Sequence, residues 1–144
     1  MFLGEYQHSL DSKGRLVLPR KFRDELEHGL VVTIGQENCL YVFSIGRWQE
    51  EVARVNRLPR TDGRARKLAR SFFAAASDQH LDKQGRVQLT DKLRGFASLD
   101  KDVTVVGVSD RIEIWATDVW TTVQAEADEF YAGIEEVLSA EGGI

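Results

Sequence analysis

The chain has 144 residues, 42% of them apolar, a formal net charge of −4 and one cysteine. That length carries one compact domain or two very small ones, and the lone Cys39 excludes an internal disulfide and fits a reducing compartment. Polar and charged residues enter from Glu5 onward and no apolar stretch nears the roughly 20 residues of a membrane span, so a soluble cytoplasmic protein without a membrane partner is expected.

In chain order, "FLGEYQHSL" and "RLVLP" flank the turn Asp11–Gly14 and predict a short hairpin, with Gly14 free to take a positive φ. Pro19 opens the predicted helix "PRKFRDEL", in which Phe22 and Leu26 share a face. "LVVTIG" and "CLYVFSI" surround the turn-like "QEN" and predict a second hairpin. From Ser44 the period becomes helical, with Ile45, Trp48, Val52 and Val55 on one side and Leu58-Pro59 closing the run. A further helix, "GRARKLARSFFAAA", groups Leu68, Phe72 and Ala76.

The pattern then restarts. "LDSKGRLVLP" at residues 10–19 returns as "LDKQGRVQLT" at residues 81–90, pairing Asp11, Gly14, Arg15, Leu18 and Arg23 with Asp82, Gly85, Arg86, Leu89 and Arg94. After one inserted residue Leu40, Val42 and Trp48 meet Ile112, Ile114 and Trp120. "DVTVV" and "RIEIWAT" predict the later strands, and a helix from about Thr117 carries Trp120, Val123, Ala127, Phe130, Ile134 and Val137 at core-like spacing. The chain therefore reads as two α+β repeats, 1–72 and 73–144, each with too few strands to close a core alone and packed about a pseudo-two-fold axis into one compact unit.

Charge divides along the same line. Residues 1–72 carry 13 Lys/Arg against 9 Asp/Glu, and residues 73–144 carry 6 against 14. Residues 12–23 hold Lys13, Arg15, Arg20, Lys21 and Arg23 with no acid, and residues 54–70 hold seven basic residues against Asp62 alone. An anion-binding face can thus sit on an acidic protein, although a basic run also serves as a solvated face, and for residues 54–70 both readings stay open.

The D-x-x-G-R turn, followed by an apolar strand, Pro19 and Arg23, resembles the SpoVT/AbrB superfamily of bacterial DNA-binding proteins. Two such units in a chain beginning "MFLGEYQHSLDSKGR" resemble the MraZ family of transcriptional regulators. The resemblance implies an AbrB-like swapped-hairpin β-barrel formed by the two repeats with flanking helices, a ring-like homo-oligomer, and binding to double-stranded DNA at repeated promoter boxes of the division and cell-wall gene cluster. It also implies a nucleoid-associated protein.

Residue chemistry runs the same way. Arg offers a planar fork for a phosphate or a guanine edge, and a glycine turn brings backbone amides close to a phosphate. The DNA-binding candidates are Lys13, Gly14, Arg15, Arg20 and Arg23 in the first unit and Lys83 and Arg86 in the second. Asp11 and Asp82, which phosphate would repel, are expected to orient the arginines or cap the turns. On residue chemistry alone an internal Asp11–Arg15 ion pair serves equally well, and the resemblance favours DNA contact. Gln84 stands where the first unit has Lys13, and Asp91 where it has Arg20, so the first unit is expected to read DNA more heavily.

Neither a nucleophile motif, a phosphate loop nor a cluster with metal-ligand spacing is present, and the three histidines are scattered, so no enzyme activity, cofactor, metal or small-molecule substrate is expected. The alternative function is an antitoxin-like protein-binding module without direct DNA readout. Such a module would normally add a disordered tail, whereas here only "SAEGGI" reads as loose.

Overall fold

A computed structural model describes residues 1–135; Val137, Glu136, Glu141 and the "SAEGGI" segment lie outside the described residues. The protein is a mixed α+β fold. Its strands are β1 (Phe2–Ser9), β2 (Arg15–Val17), β3 (Leu30–Ile34), β4 (Leu40–Ser44), β5 (Ser77–Gln79), β6 (Arg86–Gln88), β7 (Asp102–Ser109) and β8 (Ile112–Ala116). The helices are α1 (Ile45–Asn56), α2 (Gly63–Ala75), α3 (Asp91–Phe96) and α4 (Thr117–Ala132). None is long and apolar enough to cross a membrane.

Six strands form an antiparallel sheet in the order β1-β7-β8-β4-β3-β5, and β2 pairs with β6 in a separate two-stranded ribbon. The β3–β4 and β7–β8 hairpins stand where the sequence predicts them. The first predicted hairpin does not: β1 pairs along its whole length with β7, and β2 pairs with β6. Among the described residues the sheet also stays open, with β1 and β5 at its edges, instead of closing into the expected barrel. The turn at Asp11 is tight, yet Leu16 and Leu18 are drawn to the shared core with Val87 and Leu89, and this burial separates β2 from β1.

The strand order is the same read from either end once each element is exchanged for its repeat, β1 for β5, β7 for β3 and β8 for β4. Four ladders join the repeats, and two of them pair an element with its own counterpart. Leu16 faces Val87 at the middle of the ribbon, and Tyr41 faces Glu113 at the middle of the β4–β8 pairing. Leu18 donates its N–H to the Gly85 carbonyl and Leu89 donates to that of Gly14, which extends the ribbon equally on both sides. The core draws on both repeats: Leu16, Leu18, Phe22 and Leu26 from the first, Val87, Leu89, Leu93 and Ala97 from the second, all at most 2% exposed.

Local differences follow from single residues. Thr90 caps α3 by accepting the Leu93 N–H, whereas Pro19 has no such side chain, and the predicted helix after it is instead two 3-10 turns, Arg20–Phe22 and Asp24–Leu26. Phe22 and Leu26 still reach the core. Ser44 caps α1 by accepting the Arg47 N–H, and Asp62 caps α2 by accepting that of Arg64. The sharpest departure is α4, in which no residue is buried: Phe130, expected in a core-like stripe, is 53% exposed.

Candidate nucleic-acid interface

The two D-x-x-G-R turns fold identically. Asp11 Oδ1 accepts the backbone N–H groups of Lys13 and Arg15, both at 2.9 Å, and its Oδ2 accepts the Arg15 Nε–H at 2.7 Å. Asp82 does the same for Gln84 and Arg86 at the same three distances. Gly14 and Gly85 donate back to the carbonyls of Asp11 and Asp82 from φ of +74° and +75°, the left-handed region that disfavours a side chain. Each aspartate thus bonds two backbone N–H groups of its own turn and the side chain of its arginine.

Electrostatics match the geometry. The Arg15 backbone N–H, followed by its side-chain hydrogen bond, the Lys13 N–H and the Arg15 charge, holds the Asp11 carboxyl down to about 2, against an opposing contribution from desolvation. Asp82 is lowered too, first by the Arg86 N–H. Both carboxylates stay charged at neutral pH and fix their arginines through Nε. The terminal nitrogens of Arg15 have no hydrogen-bond partner among the described residues and are free to donate to a ligand.

The ribbon brings the turns together. Leu16 and Val87 point into the core, so alternation sends Arg15, Val17, Arg86 and Gln88 to the outer face. Arg86 Nη1 also lies 3.8 Å from Asp11 Oδ2, which links one turn to the other. Lys13 and Lys83 are exposed beside their turns, and Arg20 is exposed shortly after β2. The outer face is therefore one surface built from both repeats, with two diagonal arginines and a lysine at each turn.

Arg23 sits elsewhere. Its Nε and Nη2 donate to the Leu18 carbonyl at 3.2 and 3.0 Å, its guanidinium fills the space where a Cβ on Gly85 would stand, and its charge joins burial in lowering the pKa of His8. It braces the opposite turn instead of presenting a free fork. Arg94 mirrors it, donating to the Leu89 carbonyl, covering Gly14 and pairing with Asp91. Sequence reasoning aligned Arg94 with Arg23 but gave it no role; that register was the available signal. Gln88, which donates to the Lys13 carbonyl at 2.7 Å, carried none, because its counterpart is Val17.

A two-stranded ribbon with outward arginines is of a size that the DNA major groove admits, and its forks suit phosphates or guanine edges. Comparison with known proteins agrees with the repeat. The family model described as "MraZ protein, putative antitoxin-like" matches twice, over residues 1–71 and 72–138. Proteins named "Transcriptional regulator MraZ" from Lactobacillus gasseri, Lactobacillus helveticus and Natranaerobius thermophilus are 48%, 46% and 43% identical over 138 residues, covering 96% of this chain and of each relative. With both turns, both hairpins and nearly the whole length accounted for, the chain belongs to the MraZ family.

Proposed function

We propose that the protein is a sequence-specific DNA-binding transcriptional regulator that binds repeated promoter boxes of the division and cell-wall gene cluster as a ring-like homo-oligomer associated with the nucleoid. The observation that carries this reading is the β2–β6 ribbon, on which two carboxylate-oriented arginines from different repeats share one exposed face. Arg15 and Arg86 read base edges or grip phosphates, Lys13, Lys83 and Arg20 add phosphate contacts, and the Gly14 turn lets the backbone approach closely. Arg23 and Arg94 hold the turns rigid. The exchange of opening strands between repeats is the form that a swapped hairpin takes within one chain.

One ribbon is a small contact, since specific DNA-binding modules bury about 600–1,000 Å². Copies at fixed spacing raise avidity by about 10² to 10⁴. The boxes should then recur near one helical turn, about 10–10.5 bp. The test measures affinity for a promoter array across a salt series and after insertion of about 5 bp between boxes. A steep salt slope and a large loss at the half-turn insertion are expected. A flat salt line refutes DNA binding in favour of a protein partner, and an isolated box that binds as tightly as the array refutes the multivalent mechanism.

A further inference from the structure

The outer face of the β2–β6 ribbon carries two residues besides its arginines. The register sets Gln88 opposite Arg15 and Val17 opposite Arg86. Leu18 and Leu89 bond across the ribbon to Gly85 and Gly14, so Leu16–Val87 stands in the hydrogen-bonded phase and both outer pairs fall between such positions. Residues paired in that second phase approach most closely, with Cα atoms about 4.5 Å apart.

Gln88 is exposed, yet its amide is held. Its Nε2 donates to the Lys13 carbonyl at 2.7 Å and has the carbonyls of Gly14 and Leu89 at 3.4 Å. Three carbonyl oxygens would repel Oε1, which fixes the end of the amide that turns toward them. The backbone is held as well: Gln79 of β5 donates from Nε2 to the Gln88 carbonyl at 3.0 Å and accepts the Gln88 N–H at 2.8 Å through Oε1. The first repeat carries Val17 and His8 at these two places, and neither an isopropyl group nor an imidazole can make this amide pair. Oε1 of Gln88 receives no hydrogen bond among the described residues, so a held acceptor stands across from the held donor fork of Arg15.

That order of groups has a counterpart in DNA. In the major groove a G·C pair offers two acceptors, guanine N7 and O6, and then one donor, the cytosine N4 amine. Arg15 supplies donors for the first two, and Gln88 supplies an acceptor for the third. We infer that Gln88 is a specificity-determining residue whose Oε1 accepts the N4 amine of the cytosine paired with the guanine that Arg15 grips. The inference rests on the DNA-binding reading above and adds the base pair that one half of the ribbon selects. Arg86 has Val17 opposite it and no such acceptor, so the two halves of the ribbon read different edges and one ribbon favours a box that is not a palindrome.

The test uses operator duplexes that differ by single base groups, bound by the full-length parent, Arg15→Ala and Gln88→Val, with circular dichroism to check folding. Valine already occupies the equivalent place in β2. Replacing guanines one at a time with 7-deazaguanine marks the pair that Arg15 grips, because the analogue there weakens the parent and not Arg15→Ala. Replacing the cytosine of that pair with pyrimidin-2-one, which lacks the amine, should weaken the parent by about 2- to 10-fold, the worth of one hydrogen bond, and leave Gln88→Val unchanged. Equal weakening of both proteins overturns the inference and reduces Gln88 to a brace of the Lys13 turn. Should Gln88→Val misfold, the parent decides: a loss confined to that cytosine and absent at the other cytosines of the box supports the inference, and no loss there overturns it. If no guanine is coupled to Arg15, the arginine holds phosphates, and the inference falls while DNA binding stands. A parent that binds no operator at all fails the DNA reading itself and the inference with it.

Discussion

Around Asp11 and around Asp82 the same atoms make the same bonds at the same distances, yet the surroundings of the two turns differ. Lys13 gives the first turn a cation where the second has Gln84, and Pro19-Arg20 follow the first strand where Thr90-Asp91 follow the second. Those acidic and polar replacements are occupied: Thr90 caps α3, and Asp91 holds Arg94 as it covers Gly14. An acid in the second repeat thus supports the turn of the first. The first turn is braced by an arginine that is itself ion-paired, Arg94 with Asp91, while Arg23, which braces the second, is held by a backbone carbonyl.

The largest test of this comparison removes what the turns share. Leu16→Ala, at the ribbon's centre, should cost about 2–5 kcal/mol in urea unfolding, and Val87→Ala opposite it should cost less because fewer atoms leave the core. Equal effects on both turns, read as equal losses of DNA affinity at a given destabilisation, would show that the ribbon acts as one unit.

Next come the arginines. Arg15→Ala should weaken binding by about 1–3 kcal/mol per box with folding intact, and Arg86→Ala should do so less, because Arg86 also leans toward Asp11 and has no lysine in its turn at the Lys13 position. A greater loss from Arg86→Ala would reverse the ranking.

Acid provides a smaller lever. Asp11 titrates at about 2 in the folded chain and near the ordinary carboxylate value when unfolded, so its stabilising contribution is complete above pH about 4 and drains away as pH falls toward 2. Asp11→Asn should flatten the loss of stability in that window when urea midpoints are compared at pH 5 and 2.5; an unchanged pH dependence would deny Asp11 this role.

The smallest change matches the two turns at a single position. Gln84→Lys adds, beside Lys83, a cation at the position of Lys13 and should steepen the slope of log affinity against log salt by about 0.9 if the new ammonium meets a phosphate. No change would place residue 84 away from the DNA backbone.

Much of this was legible in the sequence because the repeat was written in residues that cannot be exchanged freely: glycine for a left-handed turn, aspartate to cap it, arginine to be held by it. The hairpins were legible from alternation and turns. Strand partners were not, since the alternation in "FLGEYQHSL" says which face is buried and nothing about whether β2 or β7 lies alongside. The short helix after Pro19 was misjudged because the spacing of Phe22 and Leu26 fits a pair of 3-10 turns as well as an α-helix. On α4, apolar periodicity reported a face without saying what covers it.

The pairing of β1 with β7 bears on how the molecule is made. Phe2 faces Ser109 and Ser9 faces Asp102, so the first strand to leave the ribosome waits for about a hundred further residues before its neighbour exists. At about 5–20 residues per second, that interval is on the order of 5–20 s, and closing so long a loop is slow for the finished chain as well. From residue 44 to residue 76 of that interval the nascent first repeat holds the β3–β4 hairpin but not yet β5, β6 or β7, and its apolar Leu16, Leu18 and Phe22 lack the second-repeat partners that bury them. Two chains emerging side by side on one message hold complementary unpaired strands during the same seconds, and synthesis is therefore the stage at which this topology is most exposed to pairing between chains.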